Sequence, residues 1–110
     1  KGFFWLQGET DADNQSDTYL ADINNMWSSM KSDCPSINDN TPFVAGTISE
    51  QTLPVYGPII NGNIRSFSDS LINSAVVDTT DLTLIDDFHY NAEGLRVIGQ
   101  RMAVAYLGVI

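Results

Sequence analysis

The chain has one histidine, His89, in the stretch Asp86-Asp87-Phe88-His89-Tyr90-Asn91-Ala92-Glu93-Gly94. Imidazole is the side chain whose unperturbed pKa lies near neutrality, so His89 can take and return a proton at working pH. Asp86, three residues upstream, is one tight turn away and can accept a hydrogen bond from the ring, fixing its tautomer. The two make the base and the orienter of a nucleophilic triad. Spacing alone does not choose between Asp86 and its neighbour Asp87. A nucleophile to match them is missing: Ser49 and Ser66 are not in glycine-flanked strand-to-helix turns.

Two other features could carry chemistry. Glu9-x-Asp11-x-Asp13 has the spaced acids of a calcium loop, but Asn14 and Leu20 stand where that loop needs glycine and glutamate, so no metal is expected there. Cys34 is alone and has no base near it in sequence. It is a free thiol, or it pairs with a cysteine on another segment.

The balance of the chain bounds its partners. Of 110 residues, 43% are hydrophobic and 17% charged, as in a folded globular protein. Five basic against fourteen acidic residues give a net charge of −9, which repels nucleic acid and anionic membrane and favours neutral partners. No apolar run approaches the roughly 18 residues that span a bilayer.

The elements that must position His89 follow from periodicity. Gly2-Phe3-Phe4-Trp5-Leu6 is a continuous apolar run, predicting a strand buried on both faces, and Gln7 to Asp11 break it with polar and turn-forming residues. A helix is predicted near Thr18–Lys31, with Leu20, Ile23, Trp27 and Met30 on one face. Residues 32–42 read as loop, Phe43 to Ile48 as a second buried strand, and residues 49–62, with Pro54, Gly57 and Pro58, as an extended surface loop near the site. Ile64, Phe67 and Leu71 predict a helix over 63–73, and Ala75-Val76-Val77 a third strand. Asn91 is placed to cap a closing helix whose core face is Leu95, Ile98, Met102 and Ala105 or Tyr106. Phe3, Phe4, Trp5 and Trp27 are expected in the core.

Alternating strands and helices imply an α/β layer with a parallel sheet. Three strands are thin for such a layer, and a strand as apolar as Gly2–Leu6 is poorly suited to an open edge. We therefore expect it to be an interior strand whose further neighbour comes from elsewhere, with residues 1–110 forming the C-terminal portion of one larger domain.

Two motifs resemble those of the SGNH hydrolase superfamily, in its branch of sialate O-acetylesterases and acetylxylan esterases. One is Trp5-Leu6-Gln7-Gly8-Glu9-Thr10-Asp11. The other is Asp86-x-x-His89-Tyr90-x-Ala92-Glu93-Gly94, followed by Gly99-x-Arg101-Met102-Ala103. The resemblance implies a flavodoxin-like, three-layer fold with its active site at the carboxyl ends of the strands. It also implies roles: His89 as general base, Asp86 rather than Asp87 as its orienter, and Gln7 as the side-chain donor of the oxyanion hole. Gly8 would allow close backbone approach there. Glu9 and Asp11 would support the oxyanion loop or touch substrate hydroxyls, and Tyr56 and Tyr90 would line a sugar-sized cleft. The family's serine lies in a Gly-x-Ser block near the N-terminus, which nothing in residues 1–110 matches.

The activity so implied is serine-dependent deacetylation of a carbohydrate, of the acetylxylan or sialic acid type, with no metal or organic cofactor. The serine would come from an N-terminal portion of the same protein, missing here or carried on a separate polypeptide. Polymeric substrates and an acidic composition suit an extracellular setting. Two alternatives stand beside it: a non-catalytic carbohydrate-binding or scaffold module of the same fold, and an esterase of the same fold acting on lipid or aryl esters.

Overall fold

A computed structural model describes residues 1–110, and its centre is a strand that excludes water on both faces. Strand β2 (Phe43–Gly46) is buried at every position. It pairs in parallel with β1 (Phe3–Trp5) on one side and β3 (Ser74–Val77) on the other, giving the order β1-β2-β3. Phe3 is opposite Phe43, and Phe43 opposite Ser74. Parallel neighbours need crossovers, and helices supply them.

Successive side chains of β2 point to opposite faces, so the strand feeds two cores. Phe43 and Ala45 face helices α2 (Tyr19–Asp33) and α3 (Tyr56–Asp69), joining Ile23, Trp27, Ile60, Ile64 and Phe67 in one cluster. The Phe43 ring meets Trp27 and Phe67 edge-on, with centroids 5.2 and 5.1 Å apart. Val44 faces α4 (Ala92–Val109) with Val77, Ile98 and Met102. Sheet between helical layers is the α/β arrangement expected of the flavodoxin-like class.

The first strand departs from expectation. Phe3 and Trp5 pack against the α2–α3 core, whereas Phe4 is 50% exposed beside Tyr106 and Leu6 is 37% exposed. Within these residues β1 has one neighbouring strand and is partly buried on one face, because α4 packs mainly on β2 and β3 and touches β1 through Tyr106. A fourth, five-residue helix, α1 (Glu9–Asp13), follows it where turn residues alone were predicted.

Helix faces and limits are also corrected. In α2 the buried stripe is Tyr19, Ile23 and Trp27, four apart, and Leu20 faces outward. The expected surface loop over residues 49–62 is helical from Tyr56. Pro58 is compatible with this because a first-turn residue has no intrahelical acceptor for the N–H that proline lacks. Helix α3 ends at Asp69, before Leu71, which still packs on the core. In α4, Gly94, Ile98 and Met102 are buried while Leu95 is 53% exposed. The second strand closes at Gly46, yet Thr47, Ile48 and Ser49 stay buried beyond it.

Candidate active site

The segment after β3 is folded back on itself before α4 begins. An isolated antiparallel bridge pairs Leu84 with Tyr90: the Ile85 N–H donates to the His89 carbonyl and the Asn91 N–H to that of Thr83. Asn91 then caps α4, its Oδ1 accepting the Gly94 N–H at 2.8 Å, as its position predicts. Below the turn, Tyr90 is buried and its hydroxyl donates to that of Thr79, which in turn donates to the Thr47 carbonyl. The Thr79 N–H donates to the Thr47 hydroxyl. A buried polar chain thus ties the turn to the carboxyl ends of β2 and β3. The Thr52 hydroxyl, on the loop before α3, adds a hydrogen bond to the Asp87 carbonyl.

On this turn Asp86 and His89 meet. Nδ1 of His89 is 2.7 Å from Asp86 Oδ2, while Asp86 Oδ1 accepts the N–H groups of Phe88 and His89 at 2.8 and 2.7 Å. The backbone donors are the main reason the Asp86 carboxyl falls to about 2, with the ring adding to them. The hydrogen bond donated by the ring to Asp86 raises the His89 pKa, aided by the charges of Asp86 and Glu9. Both side chains are largely exposed, at 76% for His89 and 53% for Asp86, so water and salt screen the attraction. Asp87 is exposed, and the ring contact belongs to Asp86.

His89 opens onto a cavity of about 390 Å³ lined by Leu6, Glu9, Thr10, Asp13, Phe88 and Tyr90. One wall comes from the end of β1 and helix α1, the other from the Asp86–His89 turn. Both leave the carboxyl edge of the sheet, where open α/β sheets place their sites. Thr10 and Phe88 have no role in the sequence analysis, and Asp13 enters there only in the calcium-loop spacing that was set aside. The four-residue recurrence of Glu9 and Asp13 would have placed them on one face had α1 been foreseen as a helix.

Gln7 sits elsewhere. Its amide donates to Asp11 Oδ2 at 2.6 Å, and the two line a separate cavity with Trp5 and Tyr19. The turn carrying it is tied to α2: the buried Tyr19 hydroxyl donates to the Gln7 carbonyl at 3.0 Å and accepts the Trp5 indole N–H at 3.1 Å. Burial pushes that phenol up to about 12. Gly8 follows with φ of 145°, a conformation side chains rarely adopt, and a Cβ there would lie 2.7 Å from Ile60 Cγ2. Its own N–H donates to no group of the protein. Tyr56 packs on the α2–α3 core and borders a third cavity, so the structure brings Tyr90 to His89 but not Tyr56, Gln7 or Asp11.

No hydroxyl or thiol of the chain hydrogen-bonds the second ring nitrogen of His89. Ser49 is buried, its Oγ accepting the Gln51 N–H, and Ser66 is on the exposed side of α3. Cys34 is an exposed free cysteine at the end of α2.

A family model described as carbohydrate esterase, sialic acid-specific acetylesterase, matches residues 1–108. The chain belongs to this family. The match covers both motifs, the β1–α1 turn and the Asp86–His89 turn, together with all the elements between them. No curated protein and no solved structure matches the chain. Membership of this carbohydrate esterase family supports esterase chemistry on acetylated sugars in general.

Proposed function

We propose that this chain supplies the proton-transfer pair and the oxyanion turn of a serine esterase that removes acetyl groups from a carbohydrate. The Asp86–His89 contact carries the reading: Nδ1 is held by a carboxylate while the other ring nitrogen is left unengaged. In the proposed reaction a serine Oγ attacks the acetyl carbonyl carbon as His89 Nε2 takes its proton. The tetrahedral intermediate collapses, its C–O bond to the sugar breaks, and the imidazolium returns the proton to the departing sugar oxygen. Water, deprotonated by His89, then attacks the acetyl-enzyme and releases acetate and the serine. The negative oxygen is held by the free Gly8 N–H, and the Gln7 amide, turned to Asp11 in this structure, must swing toward His89 to join it. One such donor contributes about 2.7–4 kcal/mol to the transition state.

The serine comes, in this reading, from a further segment of the same protein that pairs with the open side of β1. The unpaired edge and the half-exposed Phe4 support it, since an apolar strand so exposed is otherwise a liability. An extracellular location belongs to the same proposal and suits polymeric sugar substrates. No helix is long and apolar enough to cross a membrane.

The test is hydrolysis of a small aryl acetate by the complete protein. We expect turnover, and a loss of about three orders of magnitude or more on His89→Ala. Unchanged turnover in that variant overturns the assignment.

A further inference from the structure

The peptide between Asp87 and Phe88 is held at both of its polar ends, by different parts of the chain. Its N–H donates to Asp86 Oδ1 at 2.8 Å, and its carbonyl accepts the hydroxyl of Thr52, 35 residues away in sequence. In a trans peptide the N–H and C=O point to opposite sides of one plane, so the two contacts together fix its rotation. The Phe88 N–H is also the foremost influence lowering the Asp86 carboxyl, and the same carboxylate orients the His89 ring. Rotation of this peptide would withdraw that donor and loosen the group on which the ring depends.

Thr52 is exposed, yet the loop carrying it is fastened on both sides. Upstream, the buried Asn61 of α3 bonds both backbone groups of Ile48 and the Glu50 carboxylate. Downstream, Leu53 packs on the α2–α3 core and its carbonyl accepts the Gly57 N–H at 2.8 Å. Gln51 adds a longer link between the same two segments, its Nε2 lying 3.4 Å from the Leu82 carbonyl. No other side chain from outside residues 86–89 hydrogen-bonds them. Resting on the esterase reading above, we infer that Thr52 is a positioning residue for the reaction, its hydroxyl locking the Asp87–Phe88 peptide so that Asp86 keeps the His89 ring in line. Thr52 lies outside both motifs, and only the approach of the loop before α3 to the turn before α4 brings it there. One neutral hydrogen bond biases such an orientation by about two- to tenfold.

The test compares Thr52→Val, which keeps the side chain's shape and removes its hydroxyl, with Thr52→Ser, which keeps the hydroxyl, both in the complete protein. The position is exposed, so neither change empties a core site. On a small aryl acetate we expect kcat of Thr52→Val to fall about fivefold with KM held within about twofold, and Thr52→Ser to recover most of the loss. Titration of the His89 ring by NMR reads the same link without turnover. Its midpoint should move down toward about 6.5 in Thr52→Val and stay at the parent value in Thr52→Ser. Either a parent-like kcat or a parent-like midpoint in Thr52→Val overturns the inference and leaves the esterase reading intact. A Thr52→Ser variant as impaired as Thr52→Val overturns it as well, since the effect would then lie in packing. Failure of the parent protein to hydrolyse the aryl acetate overturns the esterase reading, and the titration still decides whether Thr52 holds the pair.

Discussion

Asp86 holds His89 at both ends, its Oδ2 at the ring Nδ1 and its Oδ1 at the backbone N–H, each 2.7 Å away. One carboxylate therefore fixes both the direction of the ring and the turn on which the ring stands. A second grip comes from below, where Tyr90 joins Thr79 and Thr47 in the buried polar chain. An exposed pair is ordinarily mobile, and here the backbone beneath it is tied at two levels.

Replacing Asp86 by Asn separates those tasks. The amide oxygen of the Asp86→Asn variant still accepts from Phe88 and His89, so the turn survives, but the amide nitrogen cannot accept from Nδ1. We expect kcat on an aryl acetate to fall by about four orders of magnitude with circular dichroism unchanged. A variant with more than a tenth of the parent activity would remove Asp86 from the mechanism.

The pH dependence has a definite sign. His89 acts as a base only when neutral, and its pKa is raised, so the acidic limb of the kcat/KM profile should lie above the ordinary imidazole pKa of about 6.5. For stability, a raised histidine pKa contributes fully below the unfolded value and is lost as pH rises through the folded one. Asp86, lowered from 3.8 to about 2, contributes above 3.8 and is lost as pH falls through about 2. The pair is most useful between the ordinary pKa values of the two groups. His89 is the only histidine, so its ring resonances can be titrated by NMR without assignment; a midpoint below 6.5 contradicts the contact.

Gly8 should not tolerate a side chain. Its φ of 145° and the 2.7 Å approach to Ile60 predict that Gly8→Ala loses about 1–3 kcal/mol in urea unfolding. A variant as stable as the parent would show that the turn rearranges freely.

Asn61 is a second point of failure, away from the cavity. Its Oδ1 accepts the Ile48 N–H at 2.8 Å, and its Nδ2 donates to the Ile48 carbonyl at 3.0 Å and to Glu50 at 2.9 Å. Ile48 is wholly buried, so Asn61→Ala strands a backbone donor and acceptor without water. We expect a loss of about 2–4 kcal/mol, and Asn61→Asp should not recover it, because its second oxygen would face the Ile48 carbonyl and the Glu50 carboxylate as one more acceptor. Equal midpoints for Asn61→Ala and the parent would refute the accounting.

Removing one hydroxyl tests the lower grip. Tyr90→Phe keeps the ring in the core and deletes its donation to Thr79, which should cost about 1 kcal/mol. It should also accelerate amide exchange at His89 and Asn91, the bridge donors and acceptors nearest it. Exchange rates matching the parent would show that the turn stands on the Asp86 contacts alone.

Much of this was legible in residue order because it depends on neighbours in sequence. An Asp three residues before a His closes a turn by itself, Asn91 caps the helix that follows it, and apolar runs and three-four spacing give strands and helices whatever lies beyond. Other features depend on which surface covers which, and periodicity carries no such information. Leu20 and Leu95 fit their helical stripes and face outward, because Tyr19 and Gly94 meet the packed layers instead. Pro54, Gly57 and Pro58 read as loop, yet a first turn at Tyr56 accommodates a proline and packs Gly57 against Ser49 and Glu50. Tyr56 and Tyr90 looked equivalent as loop aromatics until burial sent one to the core beneath α3 and the other to His89. The grouping of the candidate site was settled only in three dimensions. Motif order set Gln7 and His89 in one reading, but the Gln7 amide turned to Asp11, and the five-residue helix after it put Glu9 and Asp13 on the wall of the cavity that His89 opens onto. Sequence determined which groups could exchange a proton and bind an anion, through local geometry that few residues define. Tertiary packing decided which of them share a cavity, because that follows from the surfaces the strands and helices bury.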